Sequence, residues 1–125
     1  MAITYATDVK NDRLDAVTTQ IDAGTGAGKL EIGTAGMAAV LATITLNDPA
    51  APAAAGGVLT LTMPQSDNSA DADGTAAEAR IRDSDNNDVI TGLTVGTSGT
   101  DIILDSVSIT TGQTVTINSA TITHA

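Results

Sequence analysis

The chain has 125 residues, 15 acidic against 5 basic side chains, a formal net charge of −10, no cysteine, and Tyr5 as its one aromatic residue. Lys10, Arg13, Lys29, Arg80 and Arg82 are too scattered to form the basic face that phosphate contacts require, so nucleic acid is excluded as a partner. An anionic membrane surface would repel the chain, and no apolar run approaches the roughly 18 residues that span a bilayer. Without Cys there are no disulfides and no thiolate metal sites.

Met1 to Ala6 shows neither a basic n-region nor a long apolar h-region, so no secretory signal is expected and synthesis in a cytoplasm is. Residues 6–23 then read as an N-terminal helix or arm. Leu14, Val17 and Ile21 fall on one narrow stripe at helical spacing. Thr7 is the expected N-cap, Asp8 suits the first turn, and Gly24 suits the residue after the end. Such a helix is unstable alone. Its stripe must lie on a sheet or on a neighbouring subunit.

The run Ala23-Gly-Thr-Gly-Ala-Gly-Lys29-Leu30 superficially resembles a phosphate-binding loop. That loop needs Gly at the first position, Ser or Thr after the Lys, and a strand before it with a helix after. Here Ala23 and Leu30 occupy those positions and the order of elements is reversed. A flexible helix-to-strand turn is the reading the residues favour.

From Lys29 the period becomes alternating. Strands are expected at 29–34, 40–46, 59–63, 77–82, 89–95, 102–104, 107–109, 115–117 and 120–122. Thr on their outer faces suits a half-buried pleat. The spacing of turn signals predicts a mainly β antiparallel sandwich or jelly-roll-like domain over 29–124, within a single domain 1–125. Two segments interrupt it, 47–57 (rich in Ala, Pro and Gly) and 65–74 (polar and acidic, after Pro64). Both are expected to be exposed, mobile loops.

Asp83-Ser-Asp85-Asn-Asn87-Asp88 resembles the start of a calcium loop, but Asp88 stands where Gly is needed and Thr94 where a bidentate Glu is needed. A polar turn of a β-hairpin, with strands on both sides, fits better, because Asn and Asp tolerate positive φ. Asp67, Asp71 and Asp73 form a second acidic cluster, for which a solvated loop is favoured over a weak cation site. His124 lies too near the end to act as a positioned base. The carboxylates lie mostly in turns, and no catalytic, cofactor-binding or metal-binding set is expected. Arg80 and Arg82 share a strand face. They should pair with acids on an adjacent strand or on another subunit.

The stretch Glu78-Ala-Arg-Ile-Arg-Asp-Ser-Asp-Asn-Asn-Asp-Val-Ile-Thr-Gly-Leu-Thr-Val-Gly96 resembles a hairpin pattern of small virion structural proteins of tailed phages and prophages. In that pattern an Arg-containing strand leads to a polar turn, a Val-rich strand and Gly-x-Val-Gly. Thr97 to Asp105, Ile109 to Ile122, Lys10 to Val17 and Gly28 to Gly33 fit the same pattern. The resemblance implies a β-rich fold, no catalysis, and a place in a virion.

With almost no rings, the core must be built from aliphatic side chains worth about 1.5–3 kcal/mol each, and Ala far less. Modest stability alone, completed by association, is the expectation. The leading function is a capsid decoration (cement) protein on the head exterior. Its partners would be the major capsid protein and copies of itself, in a homotrimer. Leu14, Val17, Ile21, Arg80 and Arg82 are the candidate inter-subunit contacts. The alternative is a receptor- or carbohydrate-binding module of a head or tail fibre, against which the lack of sugar-stacking aromatics counts.

Overall fold

A computed structural model describes residues 4–63 and 65–123. Its elements are α1 (Thr7–Ile21), β1 (Lys29–Gly33), a 3-10 turn (Ala35–Met37), β2 (Val40–Thr45), β3 (Val58–Thr60), β4 (Gln65–Asp67), β5 (Gly74–Thr75), β6 (Glu78–Arg82), β7 (Asp88–Gly96), β8 (Ile102–Leu104), β9 (Ser108–Ile109) and β10 (Val115–Thr123). The fold is mainly β with one N-terminal helix, and the main sheet curls into a sandwich-like form.

The N-cap of α1 lies one residue before the expected Thr7. Ala6 is the extended N-cap residue and offers no side-chain cap, so Thr7 is already helical. Asp8 sits in the first turn, where a negative charge is favourable. The helix closes at Asp22, and Gly24 takes φ 95°, a conformation that costs other residues a steric penalty. Leu14 and Ile21 are buried and Val17 packs half-buried against the same cluster. The stripe therefore lies on the chain's own sheet.

The main sheet runs β2-β1-β6-β7-β8-β10-β3, with β4 also paired to β10. Pairing is antiparallel except between β7 and β8, which meet in parallel at Val95↔Ile102 and Gly96↔Ile103. That short parallel joint links two halves, β2-β1-β6-β7 on one side and β8-β10 with β3 and β4 on the other. Period two decides the faces of the first half. Leu30, Ile32, Ala42, Ile44, Ala79 and Ile81 point inward and are buried. Lys29, Glu31, Arg80 and Arg82 share the outer face in register, Lys29 opposite Arg82 and Glu31 opposite Arg80. Leu41 points away from that core yet is buried, because β5 crosses it at Gly74. A side chain at position 74 would collide with Leu41.

Four expected strands change. The two expected at 115–117 and 120–122 are one strand, β10, with an irregular register between Ile117 and Ser119. The strand expected at 59–63 ends at Thr60, although Leu61 stays buried. The strand at 107–109 shortens to β9 and pairs with β5. β4 lies within 65–74 and β5 begins at its last residue, in a segment the sequence presents as irregular; strands of two and three residues are too short to show a period.

The expected loops are built into the fold. Ala50, Ala51 and Ala70 are buried, so neither 47–57 nor 65–74 is a wholly exposed loop. The buried hydrophobic residues among those described are eight Leu, seven Ile, seven Ala and one Val. Leu, Ile, Ala and Val side chains make up this core, with no aromatic ring among its buried residues. Of the large hydrophobic side chains described, Tyr5 (38% exposed) and Val9 (43%) are the ones left at the surface. Among the described residues, Leu14 and Ile21 of the helix stripe are buried within this one chain, with Val17 partly buried beside them.

Candidate functional site

The chemistry-bearing side chains fall into three groups, each joining two segments of backbone. The first is on α1. Asn11, Asp15 and Asp22 lie along one side of the helix, each with its Oδ1 turned to the segment 50–57. Asn11 accepts from the Gly57 N–H at 2.9 Å, Asp15 from Ala54 at 2.7 Å and Asp22 from Ala50 at 3.0 Å. The Ala/Pro segment thus runs antiparallel to the helix as a strap. Pro52 lacks a donor and the strap forms few backbone pairs, so side-chain acceptors satisfy N–H groups that no ladder reaches. Burial raises the Asp22 pKa; the Ala50 hydrogen bond opposes this, and the charge of Asp48 adds to it. These three residues were missed in the sequence. Their trace was there: short acceptors recurring on one helical side, beside a run of small residues with free N–H groups.

The second group is the cluster Asp67, Asp71 and Asp73. Asp67 accepts from the Thr43 N–H at 3.0 Å and the Ser69 N–H at 3.0 Å. Asp71 accepts from the Thr43 hydroxyl at 3.1 Å, while its own N–H donates to the Leu41 carbonyl at 2.7 Å. Asp73 accepts from the Thr111 N–H at 2.6 Å. Thr111's backbone N–H, and then its side chain, hold the Asp73 carboxyl below its ordinary range. The three carboxylates diverge toward different partners. Asp67 and Asp71 join β4 to the outer edge of β2, and Asp73 ties the segment to the turn before β10.

The third group surrounds the hairpin β6–β7, which forms as the residues predict. Asp83 is buried. One of its oxygens accepts the N–H groups of Asp85 and Asn87, both at 2.9 Å, and the other accepts the Asn87 side-chain amide at 3.1 Å. The Asn87 N–H is the main cause holding the Asp83 carboxyl below its ordinary range. Desolvation opposes it, and the Asn87 side chain and Asp85 N–H assist. Asn86 adopts φ 65°, as expected of Asn in a tight turn. Ser84 Oγ donates to the Ala23 carbonyl at 3.1 Å and accepts from the Gly26 N–H at 3.4 Å, docking the glycine turn on the hairpin. The Gly26 donor that a phosphate loop would aim at its ligand is engaged here by Ser84. On the outer face, Arg80 Nε lies 2.6 Å from Glu31 and Arg82 Nε 2.7 Å from Asp88, with Glu31 3.6 Å from Arg82. Both arginines are paired by strands of their own chain.

Among the described residues, no group of three or more His, Asp or Glu could hold a metal ion. A cleft of about 40 Å³ lies beside Leu104, Asp105, Gln113 and Thr116. That is room for water, against the roughly 300–1,000 Å³ of small-molecule sites. Pro64, His124 and Met1 to Ile3 lie outside the described residues. No family pattern, curated protein or solved structure matches the chain.

Proposed function

We propose that the chain is a non-enzymatic structural protein of a tailed-phage particle, a decoration subunit on the outside of the head. The observation that carries this reading is the use made of the carboxylates. Asp15, Asp22, Asp67, Asp71, Asp73 and Asp83 each accept a hydrogen bond that fixes a loop or a sheet edge. A shell held this way presents a rigid, acidic, mostly polar surface, which suits a protein whose task is to sit on another and stay there. The hairpin pattern of 78–96 and its continuation support the same class.

In this role the partners are the major capsid protein and further copies of the chain, with a trimer fitting the three-fold positions of a capsid lattice. The net charge of −10 keeps the particle exterior soluble and favours docking on a basic surface. The chain is made in the host cytoplasm and leaves it on the virion. Nucleic acid, membrane and cofactors have no part in this reading.

The test is a quantitative mass-spectrometric count in particles purified from cells that express the chain. Copies comparable in number to the major capsid protein are expected. A few copies per particle would point to a fibre-borne receptor-binding module instead, and absence from particles would overturn both.

A further inference from the structure

β2 stands at one end of the strand order, with β1 on one side of it. The Leu46 N–H donates to the Gly28 carbonyl, and Leu30 stands opposite Ile44 in the same register. The backbone groups of residues 42, 44 and 46 therefore turn to β1, and those of Thr43 and Thr45 turn outward. An outward row of this kind is a template for another strand, which proteins spoil with a charge, a proline or a bulge. In β2 the bulge lies only at the Val40 end. The strand reads Val-Leu-Ala-Thr-Ile-Thr, and no charged side chain occurs from Ile32 to Asn47. A run of high β-propensity with neither charge nor proline is the kind most prone to pair with its own copy.

The row is closed from within. Asp67 accepts the Thr43 N–H at 3.0 Å, and the Asp71 carboxylate takes the Thr43 hydroxyl at 3.1 Å. The Asp71 N–H donates to the Leu41 carbonyl at 2.7 Å, and the Gln65 amide to the Asn47 side chain at 2.6 Å. Among the described residues, no ladder joins β4 to β2. Side-chain bonds hold the seam where strand pairing would otherwise run.

We propose that segment 65–71 is an autoinhibitory guard over the β2 edge, and that its competitor is β2 of a second copy, antiparallel about a two-fold axis. With the axis at Ile44, Thr43 of each copy faces Thr45 of the other, and each pair exchanges both backbone bonds. The bulged end is left out, and threonines meet threonines across the new joint. In a chain of net charge −10, β2 is a stretch that brings no like charges together. Only molecules whose guard has lifted can pair, which lowers the apparent affinity by their fraction. The device does not rest on the decoration reading.

Sedimentation velocity and amide hydrogen exchange of the full chain test the proposal, with the parent's own assembly state as reference. Asp67→Ala combined with Asp71→Ala takes both acceptors from Thr43. The variant should pair at concentrations at least about tenfold below any at which the parent does, with Thr43 and Thr45 amides protected in the paired form. Adding Thr45→Pro removes an outward N–H and no bond to β1, and should return the mass to that of the parent. Asp67→Asn with Asp71→Asn keeps acceptor oxygens and should stay at the parent's mass. Gln65→Ala removes an exposed clamp at less risk to the fold and should favour pairing by about threefold. Circular dichroism checks each variant. Faster exchange at Thr43 in the alanine variants without added association would overturn the proposal. So would extra association that survives Thr45→Pro, or asparagine variants that pair as readily as the alanine ones.

Discussion

Asp22 and Asp83 show how one residue type serves opposite ends by its surroundings. Asp83 gathers three donors and titrates low. Asp22 has one donor, loses water, and faces Asp48, so it titrates high. A raised carboxyl pKa means that the folded chain binds that proton more readily than the unfolded chain. The stability Asp22 contributes is therefore present in acid and lost as pH rises through its folded pKa. Asp22→Asn keeps an acceptor for the Ala50 N–H while removing the buried charge and the repulsion from Asp48. The variant should melt a few degrees above the parent at pH 7, with the gap narrowing as pH falls. A variant that melts lower at pH 7 would show that the charge itself strengthens the Ala50 bond by more than burial costs.

Among the elements, the strap is the one whose behaviour least follows from its composition. Pro49, Pro52 and the run of alanines describe an irregular segment, yet Ala50 and Ala51 are buried and three helix side chains hold it. Asn11→Ala and Asp15→Ala each leave a part-buried N–H without its acceptor, at about 1–3 kcal/mol apiece. Both should raise hydrogen exchange at Gly57 and Ala54 while leaving β1 and β6 protected. Unchanged exchange would mean that the strap is held by packing alone. Local periods made much of the fold legible in the sequence. The helix stripe Leu14, Val17 and Ile21, the alternation through 29–46 and 77–95, and the Asp83 turn all have their signal within a few residues. What was not legible depends on segments distant in sequence. The strap clamps join residues 28 to 46 positions apart, and β4 and β5 acquire strand character only from β10 and β9. Thr7 as N-cap was a local expectation that failed, since the chain enters the helix through Ala6.

For the molecule as a whole, acid is the informative stress. The depressed carboxyls of Asp73 and Asp83 contribute stability that is complete above the unfolded Asp pKa of about 3.9 and is lost as pH falls through their folded values. Asp22 acts in the opposite sense, but it is one group against two. Denaturant midpoints should therefore fall from pH 5 to pH 2.5. Asp83→Asn, which keeps an acceptor oxygen but cannot titrate, should flatten part of that fall. A parent midpoint that stays level across this range would mean that these turns hold equally well with neutral side chains. The seam between β2 and β4 also rests on acids, Asp67 and Asp71 bridging to Thr43, so both halves of the curled sheet meet where carboxylates sit.

The position of β10 governs how the polypeptide must assemble as it is made. β3, β4 and β8 all pair with this one strand, and it follows every one of them in the chain. On a ribosome adding about 5–20 residues per second, β3 and β4 wait several seconds for their partner to emerge. The hairpins of β1, β2, β6 and β7 can close meanwhile, so the nascent chain passes through a half-built state with unpaired strands exposed to chaperones and proteases.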